Sequence, residues 1–126
     1  MNKFTNIDLM SIKSYNFPIT AVSSILHRIS GVVLLIAVPF IVATMSYSLG
    51  SSSGYNASVK LFISGWGSLF LWVFLSAVTF HVYVGFRHMI MDAGFAESLS
   101  VAKATSIAVI LLGVFTSAFW GCFLWL

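Results

Sequence analysis

Three long apolar runs, at about residues 17–49, 61–91 and 104–126, account for most of this chain, and they confine it to one kind of solvent. A helix needs about 20 consecutive apolar residues to cross a bilayer, and each run is that long. Inside hydrocarbon every backbone N–H and C=O must be paired within the protein, and a helix of this length pairs them within one run. With 60% hydrophobic and 7% charged residues, the chain is far from the balance that hydrates a soluble domain. The sequence therefore describes an all-α integral membrane protein with three transmembrane helices, at about 18–49, 62–91 and 104–126, behind a polar segment at 1–16. Its 126 residues leave room for short connections only, so any soluble catalytic domain is expected on another chain.

Local signals divide the runs. Pro18 suits a first helical turn, where its missing N–H costs nothing, and Pro39 should kink or loosen the first helix locally. The first helix is longer than one span needs, which suggests that its opening turns lie in the interface or under partner protein. Residues 50–60, which include Gly50, Ser51, Ser52, Ser53 and Gly54, read as a polar turn, and residues 92–103, with Gly94, Glu97 and Ser98, as the next loop. No apolar core followed by a small-residue cleavage site stands in signal-peptide order, so the first span is expected to remain in the mature protein. The lone Cys122 can form neither an internal disulfide nor a thiolate cluster, and reads as a packed or lipid-facing thiol.

Orientation follows from the basic residues in short flanks. Lys3, Lys13, Arg28, Arg87 and Lys103 fall on one side and Lys60 alone on the other, which predicts a cytoplasmic N-terminus and a periplasmic C-terminus. No basic stripe lies on a soluble face, so nucleic acid is excluded as a partner.

Titratable residues inside the spans carry the functional signal, because a charge at the bilayer centre costs on the order of 2.5 kcal/mol or more. Arg28 lies roughly 15 Å along the helix from Pro18, and His81 roughly 16 Å from Asp92, at 1.5 Å per residue. Antiparallel neighbours would bring both to one cavity in the cytoplasmic half of the membrane. Ser24 and Arg28, four residues apart, share a face, with His27 one position round. Neutral imidazole is a good iron ligand, and a His and an Arg at matching depth can hold carboxylates. The set suggests haem b, with propionates held by His27 and Arg28. Gly85 would allow a flat macrocycle close approach, or serve helix packing. His88 shares a face with His81, but seven residues separate them by roughly 10 Å, too far to ligate one iron. A second histidine ligand would have to come from another chain, which predicts a heteromeric helix bundle. Arg87, His88 and Asp92, near a helix end, read as a solvated or partner-facing cluster.

The stretches FPITAVSSILHRISG at 17–31 and HVYVGFRHMIMD at 81–92 closely resemble the two signature stretches of the cytochrome b membrane-anchor (large anchor) subunit of bacterial succinate dehydrogenase, and the resemblance extends over nearly the whole chain. It implies a subunit of succinate:quinone oxidoreductase, complex II, in the bacterial cytoplasmic (inner) membrane. There it would pair with a small membrane-anchor subunit and hold an iron–sulfur subunit and a flavoprotein subunit, which carry the iron–sulfur clusters and FAD. Carried over by position, His81 would be one axial ligand of a haem b shared with the small anchor subunit, and His27 and Arg28 would contact its propionates. Ser24 and Arg28 would help to form the ubiquinone site, with Phe17 and Ile25 as apolar walls. No residue of this chain would act on succinate. Ser24 can hydrogen-bond a quinone carbonyl, and Arg28 can stabilise negative charge developing on the quinone oxygen.

Two other readings fit the same residues. A fumarate reductase anchor would use a similar architecture in the reverse direction. A non-redox structural or transport subunit would pair its polar residues between helices and show neither haem nor quinone sensitivity.

Overall fold

The computed structural model describes residues 18–95 and 98–126; Phe17 and the polar segment before it lie outside the described residues. The described chain forms four helices, α1 (Ile19–Gly50), α2 (Ser52–Ile63), α3 (Gly65–Asp92) and α4 (Leu99–Trp125). Of these, α1, α3 and α4 are long and apolar enough to cross a membrane. The all-α architecture with three candidate spans is the one expected from the hydropathy pattern.

Contacts between helices set their directions. His27 near the start of α1 meets His81 and His88 of α3, while Phe40 further along α1 meets Phe70 at 4.8 Å, so the two helices are antiparallel. On the other side of α3, Arg87 reaches Ala102 and Trp72 reaches Ser117, so α4 runs antiparallel to α3.

The seam between these helices is built from small side chains. On α1 the buried positions are Ser23, Ser30 and Ala37, seven residues apart; on α4 they are Ala102, Ser106, Val109 and Gly113. Lipid supplies no hydrophobic drive between helices, so close approach through small residues and interhelical hydrogen bonds must hold them together. Trp72 Nε1 donates to the Ser117 carbonyl at 2.8 Å, and Ser76 Oγ donates to Ser117 Oγ at 3.0 Å. Large apolar residues face outward instead: Leu35, Ile36, Trp66, Phe115 and Phe123 are all exposed. Cys122 is exposed too.

Two local features differ from the sequence expectation. Residues 50–60 are largely helical rather than a turn, because Ser51 caps α2 by accepting a hydrogen bond from the Gly54 N–H at 3.0 Å. Lys60 in the last turn then complements the helix dipole. The chain turns from α2 into α3 at Ser64, whose hydroxyl donates to the Leu61 carbonyl and accepts from the Gly67 N–H at 3.1 Å. Gly67 packs directly on the Leu61 carbonyl. The loop after α3 is shorter than 92–103, since α4 begins at Leu99 and already contains Lys103. Gly94, at φ 82°, ends α3: its N–H donates to the Met91 carbonyl, and the Phe95 N–H donates to the Ile90 carbonyl, the paired closure that a left-handed residue permits. Pro39 lies inside α1, which runs as one helix from Ile19 to Gly50.

Candidate functional site

The polar residues of α1 and α3 meet in a stack of imidazoles. The His27 ring lies 4.0 Å from the His81 ring, with 24° between their planes, and 5.2 Å from the His88 ring, at 20°. His81 and His88 are separated by roughly 10 Å along α3, so the His27 ring stands between them. Two glycines make room for this. A Cβ on Gly31 would come within 3.2 Å of His81 Cε1, and one on Gly85 would touch His27 Nε2 at 3.7 Å.

Hydrogen bonds orient the rings. His81 Nδ1 is bonded to Ser30 Oγ at 3.0 Å, and the Ser30 hydroxyl donates to the His27 carbonyl at 2.7 Å. His88 Nδ1 lies 2.8 Å from the Val84 carbonyl and donates to it. His27 Nε2 is buried with no partner among the described residues, and such a polar atom in a low-dielectric interior needs one.

The other expected site residues are distributed around this stack. Ser24 is half-buried, whereas Ile25 and Arg28 are exposed on the surface of the chain. His27 is thus the α1 residue that packs against His81, and Arg28, one position round, faces outward. Phe17 lies outside the described residues.

Arg87 is not solvated, whereas His88 is half-buried and Asp92 exposed. Arg87 is only 7% exposed; its Nε donates to Thr105 Oγ1 at 3.0 Å and one terminal nitrogen to the Ala102 carbonyl at 3.1 Å. It ties α3 to α4, and His88 completes the stack. Position near a helix end suggested solvation, and only the neighbouring α4 reveals the acceptors. A cleft of about 380 Å³ opens beside them, lined by Thr20, Arg87, His88, Met91, Asp92 and Leu99 among others.

Ser30 was not singled out from sequence. Its signal is the spacing, three residues after His27 and on the same seven-residue repeat as Ser23 and Ala37, which places it on the face toward α3. Among the described residues, no group of three or more His, Cys, Asp or Glu is arranged to hold a metal ion, because the stacked rings present faces to one another rather than nitrogens to a common point. A metal at this site would need ligands from outside the described residues to complete its coordination.

Residues 9–120 match the family of succinate dehydrogenase/fumarate reductase transmembrane subunits. The chain is similar to the succinate dehydrogenase cytochrome b556 subunit of Coxiella burnetii, with 34% identity over 121 residues, covering 95% of this chain and 94% of that protein. It is also similar to the cytochrome b560 subunit of succinate dehydrogenase from Reclinomonas americana, at 32% over 79% of this chain and 72% of that protein. With the cytochrome b556 subunit of Paracoccus denitrificans it shares 26% identity over 79% of this chain and 76% of that protein.

Proposed function

We propose that this chain, which belongs to the succinate dehydrogenase/fumarate reductase transmembrane subunit family, is the large cytochrome b anchor of a succinate:quinone oxidoreductase in the bacterial cytoplasmic membrane. It would share haem b with a small anchor subunit and form part of the ubiquinone site beside the iron–sulfur subunit, with the flavoprotein beyond. The names of its relatives favour the succinate-oxidising direction over fumarate reduction.

The observation that carries this reading is the meeting of His27 and His81 within two membrane-spanning segments. The donor set suits haem in two respects. His81 engages Nδ1 in the bond to Ser30, so Nε2 is the ring atom left for iron. The buried, unpartnered Nε2 of His27 suits a propionate oxygen, with Arg28 on the adjacent surface as a second propionate contact. When bound, haem b supplies a one-electron carrier whose potential depends on axial ligands and their hydrogen bonds.

The remaining roles would fall to Ser24, Ile25 and Arg28 of α1 and to Phe17, which lies outside the described residues. Ser24 would donate to a quinone carbonyl, and Ile25 and Phe17 would form apolar walls. Arg28, always protonated, would hold the quinone oxygen as it gains negative charge, the type of fixed electrostatic stabilisation that is strongest away from water. An exposed Arg28 on a membrane helix also supports a heteromeric setting, since a lone chain would leave its charge against lipid or at the interface.

The test is a reduced-minus-oxidised spectrum of the purified complex carrying His81→Ala. Loss or alteration of the b-type absorbance is expected, and an unchanged spectrum would put the iron ligand elsewhere. Mass identification of co-purifying chains checks the partners: an iron–sulfur protein, a flavoprotein and a small anchor subunit are expected.

A further inference from the structure

Ser30 is 6% exposed and touches both histidines that the proposed function uses. A serine hydroxyl carries one proton and two lone pairs, so the two short contacts of its oxygen can be assigned by elimination. The first is the His27 carbonyl, 2.7 Å away. A carbonyl oxygen can only accept, so this contact is attractive only if the hydroxyl proton lies along it. Directed anywhere else, the proton would leave lone pairs facing at that distance. The second contact is His81 Nδ1, 3.0 Å away. The serine proton being committed, Oγ can only accept here, and Nδ1 must carry the hydrogen. A neutral imidazole has one N–H, which leaves Nε2 as the lone-pair nitrogen.

We infer that Ser30 is a positioning residue for His81: its hydroxyl, anchored on the His27 carbonyl, accepts the Nδ1–H and so selects the tautomer and the ring orientation in which Nε2 is offered to the haem iron. The inference rests on the assignment of His81 as the iron ligand. Serine often bonds the carbonyl three or four residues back in its own helix, but that habit alone does not require the second contact across to α3. A hydrogen bond accepted from the outer nitrogen of a ligating imidazole makes the ligand more basic and fixes its plane. It therefore favours the more positively charged oxidised iron. Close packing assists, because a Cβ added at Gly31 would already come within 3.2 Å of His81 Cε1.

The experiment uses the complete purified complex with Ser30→Ala and Ser30→Cys, measuring haem per complex, the low-spin electron paramagnetic resonance spectrum of the oxidised haem, and its midpoint potential. Ser30→Ala should retain haem, shift the potential upward and change the resonance anisotropy as the ring loses its fixed plane. Ser30→Cys, near in volume but a weaker acceptor, should fall between alanine and wild type, and it carries the comparison if the alanine variant assembles poorly. A purely structural serine would change the yield of complex and leave the spectrum and potential of each bound haem unmoved; that result overturns the inference. His81→Ala in parallel separates the two claims. A wild-type haem signal in that variant removes the ligand assignment itself, whereas its loss together with an unmoved Ser30→Ala removes only the role of Ser30.

Discussion

Replacing Gly113 by alanine puts the closeness of the α3–α4 seam to a quantitative test. The new Cβ would stand 2.5 Å from Phe80 Cδ2, 3.2 Å from Cε2 and 3.5 Å from Cγ, whereas carbon atoms are at their optimum about 3.5–4.0 Å apart. The nearest ring atom, Cδ2, is bonded to the ring carbon that carries the side chain, so this is not the freely moving far end of a flexible side chain. A half-turn of the ring only exchanges one edge for the other. The whole ring or one helix must move by about 1 Å to reach that optimum. Overpacking costs about 1–3 kcal/mol, and an overlap of this depth belongs at the upper end. Alanine returns about 1 kcal/mol through its better helix propensity. The expected net loss of about 2 kcal/mol is roughly a 30-fold fall in the folding constant. Titrating the detergent-solubilised complex with sodium dodecyl sulfate and following tryptophan fluorescence reads this out, since Trp72 lies in the same seam. Phe80→Leu should relieve the overlap, making the double variant about 1–2 kcal/mol more stable than the two single losses predict. A Gly113→Ala complex as stable as wild type, or a double variant that is merely additive, would refute the packing argument.

Three other outcomes are expected. In a double-mutant cycle of Arg87→Met with Thr105→Val, the coupling should be about 0.6 kcal/mol and no more than about 1.7 kcal/mol, the range for hydrogen bonds between membrane helices; zero coupling would mean that the bond seen between these side chains contributes nothing. Gly67→Ala should sharply reduce the amount of assembled complex, because its Cβ would meet the Leu61 backbone, while Gly65→Ala, with open space around it, should assemble normally; equal yields would contradict the tight corner. Arg28→Leu should leave assembly largely intact and strongly depress quinone reductase activity, and normal turnover would take Arg28 out of the proposed quinone site.

How far each feature could be read in advance depended on whether its cause was local. The three spans follow from hydropathy, which needs no knowledge of neighbours. His27 and His81 were visible because a titratable residue in an apolar run has few inexpensive explanations. The helix α2 was missed because serines and glycines at 50–54 suggest a turn, and the same Ser51 that marks a turn also caps a helix. Arg87 was misplaced because burial at a helix end depends on what α4 brings against it. Ser30 escaped for the opposite reason: a serine in a membrane helix looks the same whether it spaces two backbones or orients a ring, and only the two distances around its hydroxyl distinguish the cases.

The outward-facing guanidinium of Arg28 has a consequence for biogenesis. A newly inserted copy that finds no companion would hold that charge toward acyl chains or drag it to the headgroups, at a cost on insertion scales of about 2.5–3.5 kcal/mol at mid-bilayer. Such an orphan carries its own mark for membrane quality control. Its lifetime in the cell should therefore track the supply of companion subunits, being short when the chain is synthesised alone and long when all are produced together.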